Sequence, residues 1–391
     1  MTILHQQLPG SRENPPTLPT SGRSLFHPVF GDLGDRRSVC IDPEGGSVFP
    51  EERNPLYIHL TVTMNCNARC SGCINGCITF KGSAASADSD ARPERDAAAI
   101  LHLIEKDRAR EVAVCFYGGE PLLAPGIIRD TIRILEQNRP DDCRIRYMVY
   151  TNGVSLKKAV EYDRVFTESI WLYSFSIDGG RKQHDRFRLG TSFDRIVENL
   201  QYLNRQHSTS HRLMWTTLRE GQSLRDAFET FRRLQRDSLV NHFFWHFVET
   251  DEPFHDLPGF AGRYEQDLRG ILKGYIRELE ENGELLSIIH LNELILYLLC
   301  GKHRGSSACG VELSSNYDIV AGNIQTCADL PPEYTLGRIY PDGSLDIREQ
   351  DLSHLVAYKN DLGCRGCGIH AYCGGRCPVQ AITCNTERLR Q

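Results

Sequence analysis

The chain has 391 residues, of which 40% are hydrophobic and 25% charged, and a formal net charge of -6. That length accommodates two domains, or one large barrel with an appendage, at a composition ordinary for a globular protein. The acidic balance argues against a nucleic-acid binder driven by phosphate contacts; no apolar run reaches the ~18 residues of a membrane span, and the amino terminus lacks the basic segment and apolar core of a signal peptide.

Residues 1–54 are rich in Pro, Gly, Ser and charge, with LFHPVF as the only sizeable apolar piece, and read as a partly ordered extension. An alternation then begins. Apolar strands are predicted at 56–63, 112–117, 145–150, 170–177, 213–217 and 243–248, and helices at 96–106, 126–138, 155–166, 193–206 and 222–236. Strand then helix, repeated, implies parallel strands joined by right-handed crossovers. Either a partial (β/α)6 barrel or an open doubly wound sheet satisfies this, and in both the chemistry gathers at the carboxyl ends of the strands. Residues 81–95, small and polar, read as a mobile loop. Beyond residue 258 two helices are expected, at 261–282 and 285–300. The Cys-rich, loop-rich remainder has too little apolar content to form a core alone, so metal clusters are expected to supply its scaffold.

Fifteen cysteines without an export signal are unlikely to be disulfides in a reducing, cytoplasmic setting. Their clustering points to metal. Cys66, Cys70 and Cys73 form a C-x3-C-x2-C triplet directly after the first strand. Three thiolates so placed can hold three irons of a [4Fe–4S] cube and leave the fourth open to a substrate or cofactor. A structural zinc knuckle with Cys77 as fourth ligand is the competing reading, although zinc sites usually use C-x2-C pairs.

The second strand ends in Tyr117-Gly118-Gly119-Glu120-Pro121. Glycines let the backbone approach a ligand, and Glu120 can accept hydrogen bonds from an ammonium group, yet the stretch alone is also a common βα turn. Asn152 ends the third strand as a polar group or as part of an Asn-Gly turn. The fourth strand runs into Ser176-Ile177-Asp178-Gly179-Gly180, followed by His184-Asp185-Arg186-Phe187-Arg188. Ser176 and Asp178 share one side of the strand end and Arg188 is suited to a carboxylate; a charged surface turn is the alternative. Glu249 and Asp251, past the sixth strand, are candidate general bases among ordinary surface acids. At the C-terminus Cys309 and Cys327 precede Cys364-x2-Cys367-x5-Cys373-x3-Cys377-x6-Cys384, for which a pair of zinc ribbons is the competing assignment. Cys40, Cys115 and Cys143 read as structural or incidental, as does Cys77.

Together, the Cys66–Cys73 triplet, the Gly-Gly-Glu of residues 118–120 and Ser-Ile-Asp-Gly followed by His-Asp-x-x-Arg resemble the peptide-modifying branch of the radical S-adenosylmethionine (SAM) enzymes. The seven C-terminal cysteines resemble the SPASM domain. The resemblance covers roughly residues 55–391. It implies an α/β fold: a partial (β/α)6 radical SAM barrel over 55–258, bridging helices over 259–300, and a SPASM domain with auxiliary iron–sulfur clusters over 301–391. By the same resemblance Glu120 holds the SAM amino group, Ser176 and Arg188 contact its ribose and carboxylate, and Gly118, Gly119, Asn152 and Asp178 line the site. Cys309, Cys327 and Cys377 would hold a first auxiliary [4Fe–4S] cluster, with Cys300 as candidate fourth ligand, and Cys364, Cys367, Cys373 and Cys384 a second. One departure is Gly72, where the family usually has an aromatic residue before the third cysteine.

The implied function is cleavage of SAM to a 5′-deoxyadenosyl radical and oxidative modification of a ribosomally made precursor peptide, by cross-linking or dehydrogenation. The implied partners are that peptide, a separate leader-recognition protein, and a reductant such as flavodoxin or ferredoxin, with no nucleic acid and no membrane. An anaerobic sulfatase-maturating enzyme, a small-molecule radical SAM enzyme and a non-catalytic iron–sulfur electron carrier are the alternatives.

Overall fold

The computed structural model describes residues 56–77, 90–250, 252–299, 307, 309–312, 316–330, 332–348, 351–375 and 377–379. Asp251, Cys40, Cys300, Cys384, the extension 1–54 and most of the loop 81–95 lie outside the described residues.

Six parallel strands stand side by side in chain order: β1 (Leu56–Thr63), β2 (Glu111–Gly118), β3 (Arg144–Thr151), β4 (Ile170–Ser176), β5 (His211–Leu218) and β6 (His242–Phe247). Each lies within about two residues of its expected span. Helices Pro93–Asp107, Pro125–Asn138, Leu156–Tyr162, Phe193–Arg205 and Leu224–Arg236 join them. Strand periodicity decides which residues meet what. One face, carrying Ile58, Leu60, Val114, Phe116, Val149 and Phe175, is sealed by helix residues such as Ile100, Leu103, Ile128 and Leu200. The other face is a lumen with a small core of Ala113, Cys115, Met148, Leu172, Leu213 and Ile289, flanked by half-buried Tyr57, Tyr150, Trp215 and Phe244. β1 and β6 do not pair with each other, so the sheet stays open.

Two helices follow, Leu257–Asn282 and Ile289–Leu299. The second starts later than expected because residues 286–288 run along β6, where the amide of Phe243 donates to Ser287 O at 2.9 Å. Among the described residues no helix is long and apolar enough to cross a membrane.

The C-terminal region holds more strand than its loop-rich expectation. It supplies four strands, β7 (Asn316–Val320), β8 (Asn323–Gln325), β9 (Thr335–Ile339) and β10 (Leu345–Ile347). β7 pairs parallel to β1, and β8, β9 and β10 extend the same sheet antiparallel, giving ten strands. Tyr317, Ile319, Ile324, Leu336, Ile339 and Leu355 join the main hydrophobic core. The described residues of the region therefore share the core of the barrel.

Candidate active site

β1 ends at Thr63 and releases the loop that carries the three cysteines onto the carboxyl edge of the sheet. All three thiols are free, Cys66 exposed and Cys70 and Cys73 half-buried. The amide of Ala68 donates to Cys66 Sγ at 3.4 Å. Burial pushes the Cys66 and Cys70 thiols up, while the Arg188 guanidinium, with Nη1 4.0 Å from Cys70 Sγ, pulls Cys70 the other way.

The Gly118–Gly119 pair fixes this loop from below. Gly118 has φ +128°, and a Cβ there would stand 2.3 Å from Thr63 O; one on Gly119 would stand 2.4 Å from Asn65 O. The amide of Gly119 donates to Thr63 O at 2.8 Å and that of Glu120 to Asn65 O at 2.9 Å. The glycines are thus required where the backbone of one βα turn lies on the cysteine loop. Gly119→Ala is expected to displace the loop and lower iron retention at Cys66, Cys70 and Cys73 several-fold, read as iron released to a chelator.

Glu120 is fully buried. Its Oε1 accepts from Thr151 Oγ1 at 2.7 Å and the Leu122 amide at 3.1 Å, and its Oε2 from the Asn152 amide at 2.7 Å. Burial lifts its pKa to about 7 against those hydrogen bonds. A carboxylate has about four acceptor positions, so three donors leave room for one more, and a cation there would relieve the desolvated charge. Asn152 spends its side chain within the protein: Nδ2 donates to Asn67 Oδ1 at 2.7 Å and Oδ1 accepts from the Val154 amide at 3.0 Å. It ties β3 to the cysteine loop.

The far side of the site centres on Asp178, also fully buried. It receives Arg188 Nε at 2.8 Å, Arg188 Nη2 at 3.0 Å, Arg219 Nη1 at 2.7 Å and the Thr217 amide at 2.9 Å. Burial alone would raise its pKa, but Arg188 and Arg219 hold the carboxyl well below the usual range. The fork that the sequence suggested for an external carboxylate is therefore taken by Asp178, and Nη1 of Arg188 is the edge that faces Cys70. Ser176, at the end of β4, is half-buried and in register with Trp215. His184 holds the pair in place: the Asp178 amide donates to Nδ1 at 3.3 Å, which puts its proton on Nε2, 3.0 Å from Thr191 Oγ1, and Thr191 Oγ1 donates to Arg188 O at 2.6 Å. Burial drops the His184 pKa to about 4, so the ring is neutral at pH 7.

Sequence reasoning missed Arg219. Its Nε donates to Ser71 O at 2.6 Å, so one guanidinium joins Asp178 to the cysteine loop. Period two along Trp215, Thr217 and Arg219 was the available signal. The loop is further pinned by the Ser71 amide donating to Phe187 O at 2.8 Å and by pairing of Cys70 with Arg188. Gly72 also receives its explanation here. Its φ is +64°, and a Cβ would stand 2.5 Å from Val248 Cγ2 and 3.0 Å from Thr250 Cγ2. These two side chains fill the space an aromatic residue would need, and Gly72→Tyr is expected to lower Tm rather than strengthen SAM binding.

Glu249 is half-buried past β6; burial raises the Cys309 thiol, and the charges of Glu312 and Glu249 add to that. Cys309, Cys367 and Cys373 are exposed and Cys327, Cys364 and Cys377 half-buried, none of them in a disulfide. Cys327 and Cys377 lie against the main core. Burial raises the phenol of Tyr358. Among the described residues no three His, Cys, Asp or Glu side chains converge on a single metal ion. Three cysteine thiols on one loop, at residues 66, 70 and 73, are the donor type an iron–sulfur cube takes.

An open parallel α/β sheet thus carries a three-thiol loop, a buried carboxylate and an arginine cluster together on its carboxyl edge. Residues 60–237 match the family model of the Radical SAM superfamily. The chain is 21% identical over 276 residues to a cysteine-type anaerobic sulfatase-maturating enzyme of Clostridium novyi (strain NT), covering 67% of this chain and 72% of that enzyme. Its fold is similar to native anSMEcpe with bound AdoMet, at TM-score 0.62 and 16% identity over 86% of this chain and 92% of that one. It is also similar to Streptococcus suis SuiB bound to precursor peptide SuiA, at TM-score 0.51 and 15% identity over 85% and 74%.

Proposed function

We propose that this chain is a SPASM-type radical SAM maturase that oxidatively modifies a side chain of a ribosomally made precursor peptide. The observation that carries the reading is the single hydrogen-bonded frame that fixes the Cys66–Cys73 loop against Glu120 on one side and Arg188 on the other. Cys66, Cys70 and Cys73 would hold a [4Fe–4S] cluster, which, when bound, supplies the electron that cleaves SAM and so delivers a 5′-deoxyadenosyl radical to a substrate C–H bond. The chain's own residues do the rest. Glu120 takes the SAM ammonium at its remaining acceptor position, and Asn152 holds the loop beside it. Asp178 orients Arg188, whose Nη1 edge, beside Cys70, would meet the SAM carboxylate, and Ser176 would meet its ribose. The half-buried Tyr150, Trp215 and Phe244 wall the lumen and exclude water from it.

Cys309, Cys327 and Cys377, with Cys300, and Cys364, Cys367, Cys373 and Cys384 are the ligand sets proposed for two auxiliary clusters, which would accept the electron lost by the substrate. Glu249 and Asp251 are the candidate bases. The peptide is joined by a separate leader-recognition protein and by a flavodoxin or ferredoxin as reductant. The similarity to a cysteine-type sulfatase-maturating enzyme favours a second reading, oxidation of Cys or Ser in a sulfatase.

Iron, sulfide and zinc per chain after anaerobic reconstitution test the site. About twelve irons and little zinc are expected for three cubes. About four irons with zinc confine iron to the Cys66 loop, and zinc alone removes the enzyme reading. Reduced protein should then release 5′-deoxyadenosine from SAM. Turnover of a sulfatase peptide, with none on a precursor peptide, selects the second reading.

A further inference from the structure

β7 is the strand through which the C-terminal region meets the barrel, and its register sets Asp318 directly beside His59 of β1. Asp318 is 6% exposed. Its Oδ1 lies 2.7 Å from His59 Nδ1, and its Oδ2 accepts the amide of Ala328 at 2.5 Å. Ala328 follows Cys327, whose sulfur accepts the amide of Asp329 at 3.4 Å and whose carbonyl accepts that of Leu330 at 3.2 Å. On the barrel side His59 Nε2 lies 2.9 Å from Tyr57 Oη, and Tyr57 meets Tyr150 Oη of β3 at 3.5 Å. One carboxylate therefore grips both β1, which ends four residues later at the cysteine loop, and the turn that carries Cys327.

We propose that Asp318, paired with His59, is a positioning residue that sets the Cys327 loop against the first barrel strand and thereby fixes the auxiliary iron site relative to the SAM site. The inference rests on the reading that Cys327 ligates an auxiliary cluster. The pair is only partly buried on the His59 side; such a pair adds little net stability compared with apolar residues, and its best-attested use is to fix register. A slip of β7 along β1 by two residues keeps the same face inward yet strands both charges. An apolar contact at this place would allow that slip.

The test uses the full chain, reconstituted anaerobically, with electron paramagnetic resonance of the reduced protein with and without SAM. Asp318→Ala is expected to release iron from the auxiliary site at least tenfold faster to a chelator, while the SAM-dependent change in the signal of the Cys66 site persists. Asp318→Asn and His59→Gln keep hydrogen-bonding groups and shape but not the ion pair. They guard against simple misfolding of the alanine variant and are expected to keep iron while shifting the auxiliary midpoint potential. A pure fold staple would lower Tm in all three variants and leave auxiliary iron release and potential as in wild type, which overturns the proposal. Wild-type protein with iron only at the Cys66 site overturns the auxiliary-cluster reading itself, and that result is visible before any variant is made.

Discussion

Replacing Asp178 by alanine lowers the unfolding free energy by about 3–5 kcal/mol, the scale for removing one member of a buried ion pair. The deletion strands two guanidiniums, Arg188 and Arg219, whose side chains are 11% and 7% exposed, and leaves the Thr217 amide without its acceptor. It also loosens the Ser71 end of the cysteine loop, because Arg219 loses its charged partner and keeps only Thr217 O and Gln222 Oε1 to aim it there. Urea unfolding of the ligand-free protein reads the loss, and iron release from the Cys66 site should accelerate with it. The pH dependence has a definite sign. Asp178 titrates below its unfolded value, so its contribution is fully present above about pH 4 and fades only as the pH falls toward the depressed native value. The deficit of the variant should be constant from pH 5 to pH 8 and shrink in acid. A loss below about 1 kcal/mol would mean that the arginines find solvent or other partners, and that the site is not held by this carboxylate.

Glu120→Gln is expected to weaken SAM binding about 10–100-fold, the range for losing a charge-assisted hydrogen bond to an ammonium group. The wild-type protein carries a further signature. With its pKa lifted to about 7 in the free protein, Glu120 is half neutral there, and a neutral carboxyl offers the ammonium no charge. SAM affinity should therefore rise as the pH passes upward through 7 and level off above 8, since binding the cation favours the ionised carboxylate. The Gln variant should bind weakly and without that pH dependence. Equilibrium binding of SAM at pH 6, 7 and 8 distinguishes the two, and an unchanged affinity in Glu120→Gln would move the ammonium site elsewhere.

Much of this frame was legible in the chain because its periodicities are local. Six apolar runs with period two, separated by amphipathic helices, suffice to specify parallel crossovers, and the thiol spacing at residues 66–73 follows from sequence alone. The C-terminal strands were not legible, since runs as short as Asn323–Gln325 and Leu345–Ile347 acquire strand geometry only from the neighbours they extend. The glycines of residues 118–119 were read as room for a ligand; the structure also sets them against the backbone of Thr63, Met64 and Asn65, which is distant in sequence.

The sequence by itself determined the strand and helix order, the cysteine triplet and the polar residues at the strand ends, because each is a matter of residue type and short spacing. Tertiary structure alone decided that Arg188 turns to Asp178, that Arg219 reaches Ser71 across 148 residues, and that Asp318 meets His59 across 259. Those choices depend on which charges are buried together. In a low-dielectric interior a buried carboxylate must find its donors wherever folding brings them, and no local spacing records where that will be.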